Sequence, residues 1–232
     1  MSLVIISCME GDVCKMRMIG EGNTAQVYDY EPDKIMKLYK KEMPVKICED
    51  EIRITKIISE KIEICPKAYE KVTYNGRIGG VYEKLSGVSL SEIMSKDIRK
   101  LKYYSRFMAK YHKEIHEEID ADIPSVHEKL KSDIERVDCL TAREKEAVYS
   151  YLNKLPYGNY LCHFDYHPGN IMIDENEKVK IIDWMTACKG DVAADIAQTE
   201  ILLTISEMAS VNILLRKVIK FVQRFIYASY IE

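Results

Sequence analysis

The sequence predicts an α+β chain of two lobes. Residues 1–84 form a small antiparallel-sheet lobe with one helix, residues 85–232 form a mainly helical lobe, and a hinge lies at about 81–88. Three observations predict this. Turn signals at Gly20–Asn23, Glu31-Pro-Asp33 and Asn75-Gly76 cut the early part of the chain into short strands around a single helix. An apolar strand then passes into a connection containing Gly and Ser. Beyond it, apolar residues recur at three- and four-residue steps, which marks helices burying one face.

Taken in order, Lys34 to Tyr39 alternates, which sets Ile35, Lys37 and Tyr39 on one face and Met36 and Leu38 on the other. Lys37 therefore points with two bulky neighbours toward a covered surface. Pro44 is placed to open a helix running to about Lys61, and Pro66 stops any continuation. On that helix Ile47, Glu51, Ile54 and Ile58 share a stripe. Residues 79–90 are the connection. Leu101, Tyr104, Phe107, Met108, Tyr111, Ile115 and Ile119 predict one long helix. An irregular centre, Leu161 to Asp183, carries two short strands, Asn170–Ile173 and Val179–Ile182, joined by the turn Asp174–Glu177. The segment Ile196–Ile231 returns to helical spacing.

Composition sets limits. With 232 residues, 47% apolar and 31% charged, the chain has the makeup of a folded protein with a sizeable core. A net charge of −3 offers no broad basic surface, so nucleic acid is not expected as a partner. Cys8, Cys14, Cys48, Cys65, Cys139, Cys162 and Cys188 are scattered without a C-x-x-C pair, and are expected as buried free thiols in a reducing cytosol. The apolar start Met1–Met9 lacks the parts of a signal peptide, and no apolar run is long enough to span a membrane. The expectation is a cytoplasmic protein with no membrane partner; nothing in the sequence predicts its oligomeric state.

The chemistry-bearing residues cluster in His163-Phe-Asp165-Tyr-His-Pro-Gly-Asn170 and in Asp183. Asp165 and Asn170 share a Pro-Gly loop, so a carboxylate and a neutral amide oxygen can face one cleft. Asp183 follows after a β-turn. Paired antiparallel strands would return it beside Asn170, giving two hard oxygen ligands suited to Mg²⁺ and leaving Asp165 as a base.

These residues resemble the aminoglycoside phosphotransferase and choline kinase group of the protein-kinase-like superfamily. Ile-Ile-Asp183-Trp184 is similar to its Ile-Asp-Trp signature, and Gly190-Asp191-Val-Ala-Ala-Asp195 to its Gly-Asp-x-x-x-Asp segment. Ile19-Gly20-Glu-Gly22-Asn23-Thr24-Ala25 resembles a glycine-rich nucleotide loop. The resemblance implies a protein-kinase-like fold and an ATP- and Mg²⁺-dependent transfer of the γ-phosphate to a hydroxyl of a small molecule.

The resemblance also assigns roles. Gly20, Gly22, Asn23 and Thr24 border the phosphates; Lys37 holds them; Glu51 pairs with Lys37. The hinge meets adenine through the backbone near Tyr82 to Leu85, with Glu83 and Leu85 as the contacts. Asn170 and Asp183 hold magnesium, Asp165 is the base, and His163 orders the loop. Asp191 and Asp195 anchor the loop backbone.

The departures from the family pattern bear on the acceptor. Ala25 stands where a third Gly belongs, and Phe164 stands where protein kinases carry arginine, which removes the usual partner of a phosphorylated activation loop. Only eleven residues separate Asp183 from Asp195, too few for a long peptide-docking segment. A small-molecule acceptor is therefore expected, with a small atypical protein kinase and a nucleotide-binding pseudoenzyme as alternatives.

Several residues have ordinary explanations too. Lys37 has Lys34, Lys40 and Lys41 as neighbours, and Glu51 competes with Glu49 and Asp50. His112 and His116 sit four apart, but Lys113 breaks the zinc-protease pattern, so they are expected as core or capping histidines. Glu117, Glu118, Asp120 and Asp122 are expected as a solvated helix end. Val211–Ile231 is expected to pack one face and expose Arg216, Lys217, Lys220 and Arg224.

Overall fold

The computed structural model describes residues 16–205 and 213–232. Cys8, Cys14, the Met1–Met9 start and the first residues of the Val211–Ile231 stretch lie outside the described residues. Two compact units are present. One runs to Val88 and includes Met172–Met185; the other comprises Ser89–Ile171 and Thr186–Glu232.

The first unit is built on a five-stranded antiparallel sheet. Its strands are β1 (Met18–Glu21), β2 (Ala25–Glu31), β3 (Lys34–Tyr39), β4 (Ala68–Tyr74) and β5 (Arg77–Glu83), in the order β1-β2-β3-β5-β4. The β4–β5 turn has positive φ at both Asn75 (49°) and Gly76 (70°), the two-residue hairpin geometry that Asn-Gly favours because it matches the strand twist. Helix α1 (Val45–Ser59) starts directly after Pro44 and buries Cys48, Glu51, Ile52, Ile54, Thr55 and Ile58. Ile47 is only half-buried, so the inner face is turned slightly from the predicted stripe.

The alternation of β3 sorts two cores. Tyr39, with Ile35, packs with Ala25, Cys48, Ile52, Ala68 and Tyr82 on the helix side. Met36 and Leu38 pack with Val72 and Val81 on the other. Gly80 faces Lys37 across the β3–β5 ladder, and a Cβ there would come within 2.6 Å of the Tyr82 ring and 2.8 Å of Ile52. Glycine thus makes room for the Tyr82 ring.

The strand Val179–Ile181 belongs to the same unit. Ile181 N–H donates to the Ile64 carbonyl at 2.8 Å, and Lys180 Nζ reaches the Glu63 carbonyl at 2.8 Å and Glu83 Oε2 at 3.2 Å. It is paired with Ile171–Ile173 through a turn in which Asp174 Oδ1 accepts from the Asn176 and Lys178 amides, as the local sequence predicts.

The second unit is mainly helical: α2 (Leu90–Lys96), α3 (Leu101–Ile115), α4 (Val126–Glu135), α5 (Ala142–Leu152), α6 (Val192–Thr204) and α7 (Ile213–Ile231). Capping boxes start α4, from Ser125 and Glu128, and α5, from Thr141 and Glu144. A two-stranded ladder pairs Tyr160–Cys162 with Cys188–Gly190. Helix α3 packs on α7, burying the row Leu101, Ser105, Met108, His112 and Ile115.

Three expectations need correction. Helix α3 ends at Ile115, not beyond Ile119, because His116 leaves helical geometry (ψ 59°) as its ring turns to Asp195; Ile119 is buried in irregular chain. Glu117, Glu118, Asp120 and Asp122 are exposed but follow the helix rather than end it. Cys139 is exposed, whereas Cys48, Cys65, Cys162 and Cys188 are buried free thiols. Among the described residues no helix is long and apolar enough to cross a membrane.

Candidate active site

In the first unit, strand β3 and helix α1 bring Lys37 and Glu51 together. Lys37 Nζ donates to Glu51 Oε1 at 2.6 Å and to Asp183 Oδ1 at 3.1 Å. The Glu51 side chain is 2% exposed and that of Lys37 16%. Burial works against the ammonium, yet the charges of Glu51 and Asp183 outweigh it and hold Lys37 above the ordinary lysine value. Asp183 itself sits in the left-handed region, at φ 65°. The buried Trp184, donating from Nε1 to the Ile181 carbonyl at 2.7 Å, fixes the turn that puts it there.

The glycine-rich loop closes the β1–β2 hairpin, with Gly22 N–H donating to the Ala25 carbonyl and Lys40 N–H to the Thr24 carbonyl, each at 2.9 Å. Asn23 is exposed and Thr24 half-buried. Neither Gly20 nor Gly22 has positive φ, and a Cβ at either would find no heavy atom nearer than 3.8 Å. The hairpin does not itself require either glycine.

At the end of β5, Glu83 is held on three sides. Its amide donates to the Lys67 carbonyl at 2.9 Å, its carboxylate accepts from Lys67 N–H at 3.0 Å, and it pairs with Lys180. Leu85 lies half-buried in the segment that follows. Sequence reasoning missed the buried pair Tyr39 and Tyr82, whose hydroxyls meet at 3.2 Å on the Glu51 side of the sheet. The strand period places Tyr39 on that face, but nothing local marks its hydroxyl partner.

In the second unit, the loop from His163 to Asn170 is organised around Asp195, on the first turn of α6. Asp195 is fully buried. Its Oδ2 accepts from His163 N–H at 2.8 Å and its Oδ1 from Phe164 N–H at 2.8 Å. Phe164 is bulky and yet sits at φ 64°, a conformation that needs such support. His163 Nδ1 accepts from Asp165 N–H at 3.2 Å, and Thr186 Oγ1 donates to the His163 carbonyl at 3.0 Å. The strained backbone on the N-terminal side of Asp165 is thus held at both of its preceding residues.

Asp165 in turn meets Asn170, whose Nδ2 donates to the Asp165 carbonyl at 2.9 Å and to Asp165 Oδ2 at 3.1 Å. The Pro168–Asn170 turn, with His167 Nδ1 accepting from Gly169 N–H at 3.0 Å, sets this geometry. His167 Nε2 lies 3.9 Å from Asp165 Oδ2, a neighbour the motif spacing did not single out.

Taken each within its own unit, Asn170 and Asp183 offer oxygens of the chemical type magnesium takes. With its amide nitrogen committed to Asp165, Asn170 keeps a carbonyl oxygen, and Asp183 keeps a second carboxylate oxygen beside the one that faces Lys37.

The two aspartates of the Gly-Asp-x-x-x-Asp segment do different work. Asp195 anchors the loop backbone, as the resemblance implies. Asp191 does not: its carboxylate accepts from Ala193 N–H at 2.8 Å and caps α6. His112 is a buried core histidine and His116 occupies the C-cap position of α3, as expected. Each places Nε2 3.0 Å from Asp195 Oδ2. Burial would raise the Asp195 carboxyl, but hydrogen bonds from His112, His116 and the Phe164 amide outweigh it and hold the group far below the usual carboxylate range.

Solved structures share this fold. A thermostable mutant of aminoglycoside phosphotransferase APH(4)-Ia, in ternary complex with AMP-PNP and hygromycin B, aligns with a TM-score of 0.61 at 12% identity, over 93% of this chain and 77% of that one. ADP-bound aminoglycoside phosphotransferase APH(2'')-Ib aligns at 0.55 and 17% identity, over 94% and 79%. A choline/ethanolamine kinase family protein from Mesorhizobium loti aligns at 0.53 and 15% identity, over 96% and 71%. These likenesses establish a two-lobed, kinase-like α+β fold. No curated protein sequence matches the chain. The model of the phosphotransferase enzyme family matches residues 15–204, a span that includes Lys37, Glu51, the His163–Asn170 loop, Asp183 and Asp195, and the chain belongs to that family.

Proposed function

We propose that the protein transfers the γ-phosphate of ATP to a hydroxyl of a small molecule, with Asp165 as the base. The observation that carries this reading is the support given to Asp165. A buried carboxylate holds the amides of the two residues before it, of which Phe164 sits in the left-handed region, and Asn170 holds a carboxylate oxygen of Asp165 itself. Loops under strain are kept where a side chain must be aimed. Phosphoryl transfer asks a protein for that aim and for charge around the phosphates, and little else.

Lys37 is the proposed phosphate ligand and Glu51 its orienting partner; the 2.6 Å ion pair supports this. Gly20, Gly22, Asn23 and Thr24 border the nucleotide phosphates. Because the hairpin tolerates a Cβ at both glycines, close approach of a ligand is the remaining reason for them. The backbone at Glu83 and Leu85 meets adenine. In this reading residues 1–84 are the nucleotide lobe and residues 85–232 the acceptor lobe, with Met172–Met185 grouped with the former. Asn170 and Asp183 are the residues that would hold magnesium, which would supply positive charge to neutralise the phosphates. A cytoplasmic location fits ATP as donor.

The acceptor class rests on the family and on the short segment from Asp183 to Asp195. Proteins that share the fold include aminoglycoside phosphotransferases and a choline/ethanolamine kinase family protein. The test is ATP consumption across a panel of aminoglycosides, choline, homoserine, sugars and macrolides, with wild type and Asp165→Asn side by side. The wild type is expected to turn over at least one acceptor, and the variant to bind ATP normally while losing about 10²- to 10⁴-fold in rate. Undiminished turnover by Asp165→Asn would sink the reading.

A further inference from the structure

Helix α7 reaches the Asp165 loop through a chain of polar contacts wholly within the second unit. Tyr230, near the end of α7, places its hydroxyl 2.5 Å from His112 Nδ1. His112, on α3, is buried and stacks on Tyr166 with ring centroids 3.9 Å apart and planes 10° apart. Its other nitrogen, Nε2, is 3.0 Å from Asp195 Oδ2. Asp195 then holds the amides of His163 and Phe164, directly before Asp165.

The protons along this chain are determined. An ionised carboxylate only accepts, so His112 and His116 must both present N–H from Nε2 to Asp195. Burial keeps His112 neutral by lowering its pKa. A neutral imidazole with its proton on Nε2 has a bare lone pair on Nδ1, and the Tyr230 hydroxyl is the group that donates to it. Without that donor, His112 gains a second tautomer, with the proton on Nδ1 and a lone pair facing the carboxylate. Asp195 would then lose one of its four hydrogen-bond donors and face a repulsive lone pair in its place.

We propose that Tyr230 is a positioning residue for phosphoryl transfer: by locking the His112 tautomer it fixes Asp195, and through Asp195 the backbone that aims Asp165. This rests on the reading of Asp165 as the base. It gives α7 a role in catalysis without contact with the reacting groups. The same three side chains, His112, His116 and Asp195, also have the makeup of a metal site. The relay and a metal are mutually exclusive, because a metal would take the two Nε2 lone pairs that the relay fills with protons facing one carboxylate oxygen.

The experiment compares wild type, Tyr230→Phe, Glu232→Gln and Asp165→Asn as full chains. Glu232 ties α7 to α3 through Lys102 and Arg106, each at 2.7 Å, and lies outside the relay, so its variant controls for loosening of the helix. Tyr230→Phe is expected to lower kcat roughly tenfold, in the range of a slightly misplaced reacting group. Its ATP dissociation constant should stay unchanged, and Glu232→Gln should keep wild-type kcat. Nitrogen NMR of the histidine rings should show a protonated Nε2 and a hydrogen-bonded Nδ1 on His112 in the wild type. The Nδ1 hydrogen bond should vanish in Tyr230→Phe.

Three results overturn the proposal: an unchanged kcat in Tyr230→Phe, an unchanged His112 signal, or stoichiometric zinc in the purified protein bound at His112 Nε2. Should Tyr230→Phe fold poorly, the wild-type NMR signal alone still decides whether the tautomer is locked. Turnover that survives Asp165→Asn defeats the assignment of the base instead, and so separates the two failures.

Discussion

Lys37→Met is expected to destabilise the protein more than Glu51→Gln, although both break the same ion pair. At 2.6 Å and an effective dielectric of about 20, the attraction between Lys37 and Glu51 is about 6 kcal/mol, opposed by several kcal/mol for taking each ion out of water. The net value of the pair is therefore modest, but the two deletions are not equivalent. Removing Lys37 leaves a carboxylate that is 2% exposed with no cation beside it, at a cost of about 3–5 kcal/mol. Removing the Glu51 charge leaves Lys37 with Asp183 at 3.1 Å and an amide oxygen in place of the lost carboxylate, at a cost of about 1–2 kcal/mol. Urea unfolding followed by the fluorescence of Trp184, the single tryptophan and part of the same unit, gives both numbers. The double variant is expected to be more stable than Lys37→Met alone, since no buried charge is then left unpaired. Equal losses, or the larger loss in Glu51→Gln, would refute the reasoning.

Gly87→Ala is expected to cost about 2–3 kcal/mol, because Gly87 has φ 105° and a Cβ there would lie 2.1 Å from the Ile173 carbonyl oxygen. Gly22→Ala, where a Cβ would make only an ordinary contact at 3.8 Å with the Ala25 carbonyl oxygen, should leave the urea midpoint unchanged while weakening ATP binding measured by calorimetry. Asp191→Ala should cost about 1 kcal/mol as a lost helix cap. Asp195→Asn should cost about 3–5 kcal/mol, since an NH₂ group then faces N–H donors in a buried site; equal urea midpoints for the two variants would contradict the roles given to them. Stability should also fall as pH drops below about 6.5, by up to about 1.4 kcal/mol per pH unit. The sign follows from His112, which burial holds neutral in the folded state, so that the unfolded chain binds the extra proton. Unfolding midpoints that stay flat between pH 7.5 and 5.5 would show that His112 takes up a proton in the fold.

Local chemistry made much of the first unit legible. The β3 alternation, Pro44 before α1, Asn75-Gly76 in the hairpin and the Asp174 turn each act over a few residues, where sterics and short hydrogen bonds decide the backbone. The same holds for the candidate pair Lys37 and Glu51. Each sits on the covered face of its own element by period alone, although their contact requires the helix to pack on the sheet. The reading failed where a distant partner overrides the local pattern. Helix α3 carries apolar spacing through Ile119, but it stops at Ile115 because the His116 ring is drawn to a carboxylate 79 residues away. Asp191 and Asp195 look alike in the motif; only the start of α6 separates a cap from a buried anchor.

By itself, then, the sequence determined the α+β class, the short strands and single helix of the first lobe, a mainly helical second lobe, and the residue types available for phosphoryl transfer, and its motifs carried the resemblance to the family. The class and the elements follow from periodicity and turn chemistry, and the family from the resemblance of the His163–Asn170, Asp183–Trp184 and Gly190–Asp195 motifs. The tertiary structure alone decided that Asp195 gathers four hydrogen bonds beneath the Asp165 loop, that Phe164 is held in a left-handed conformation, and that Tyr230 closes the chain of contacts through His112. The physical reason is range: a buried carboxylate must find its donors wherever the packed helices bring them, and those lie 31 to 83 residues away along the chain.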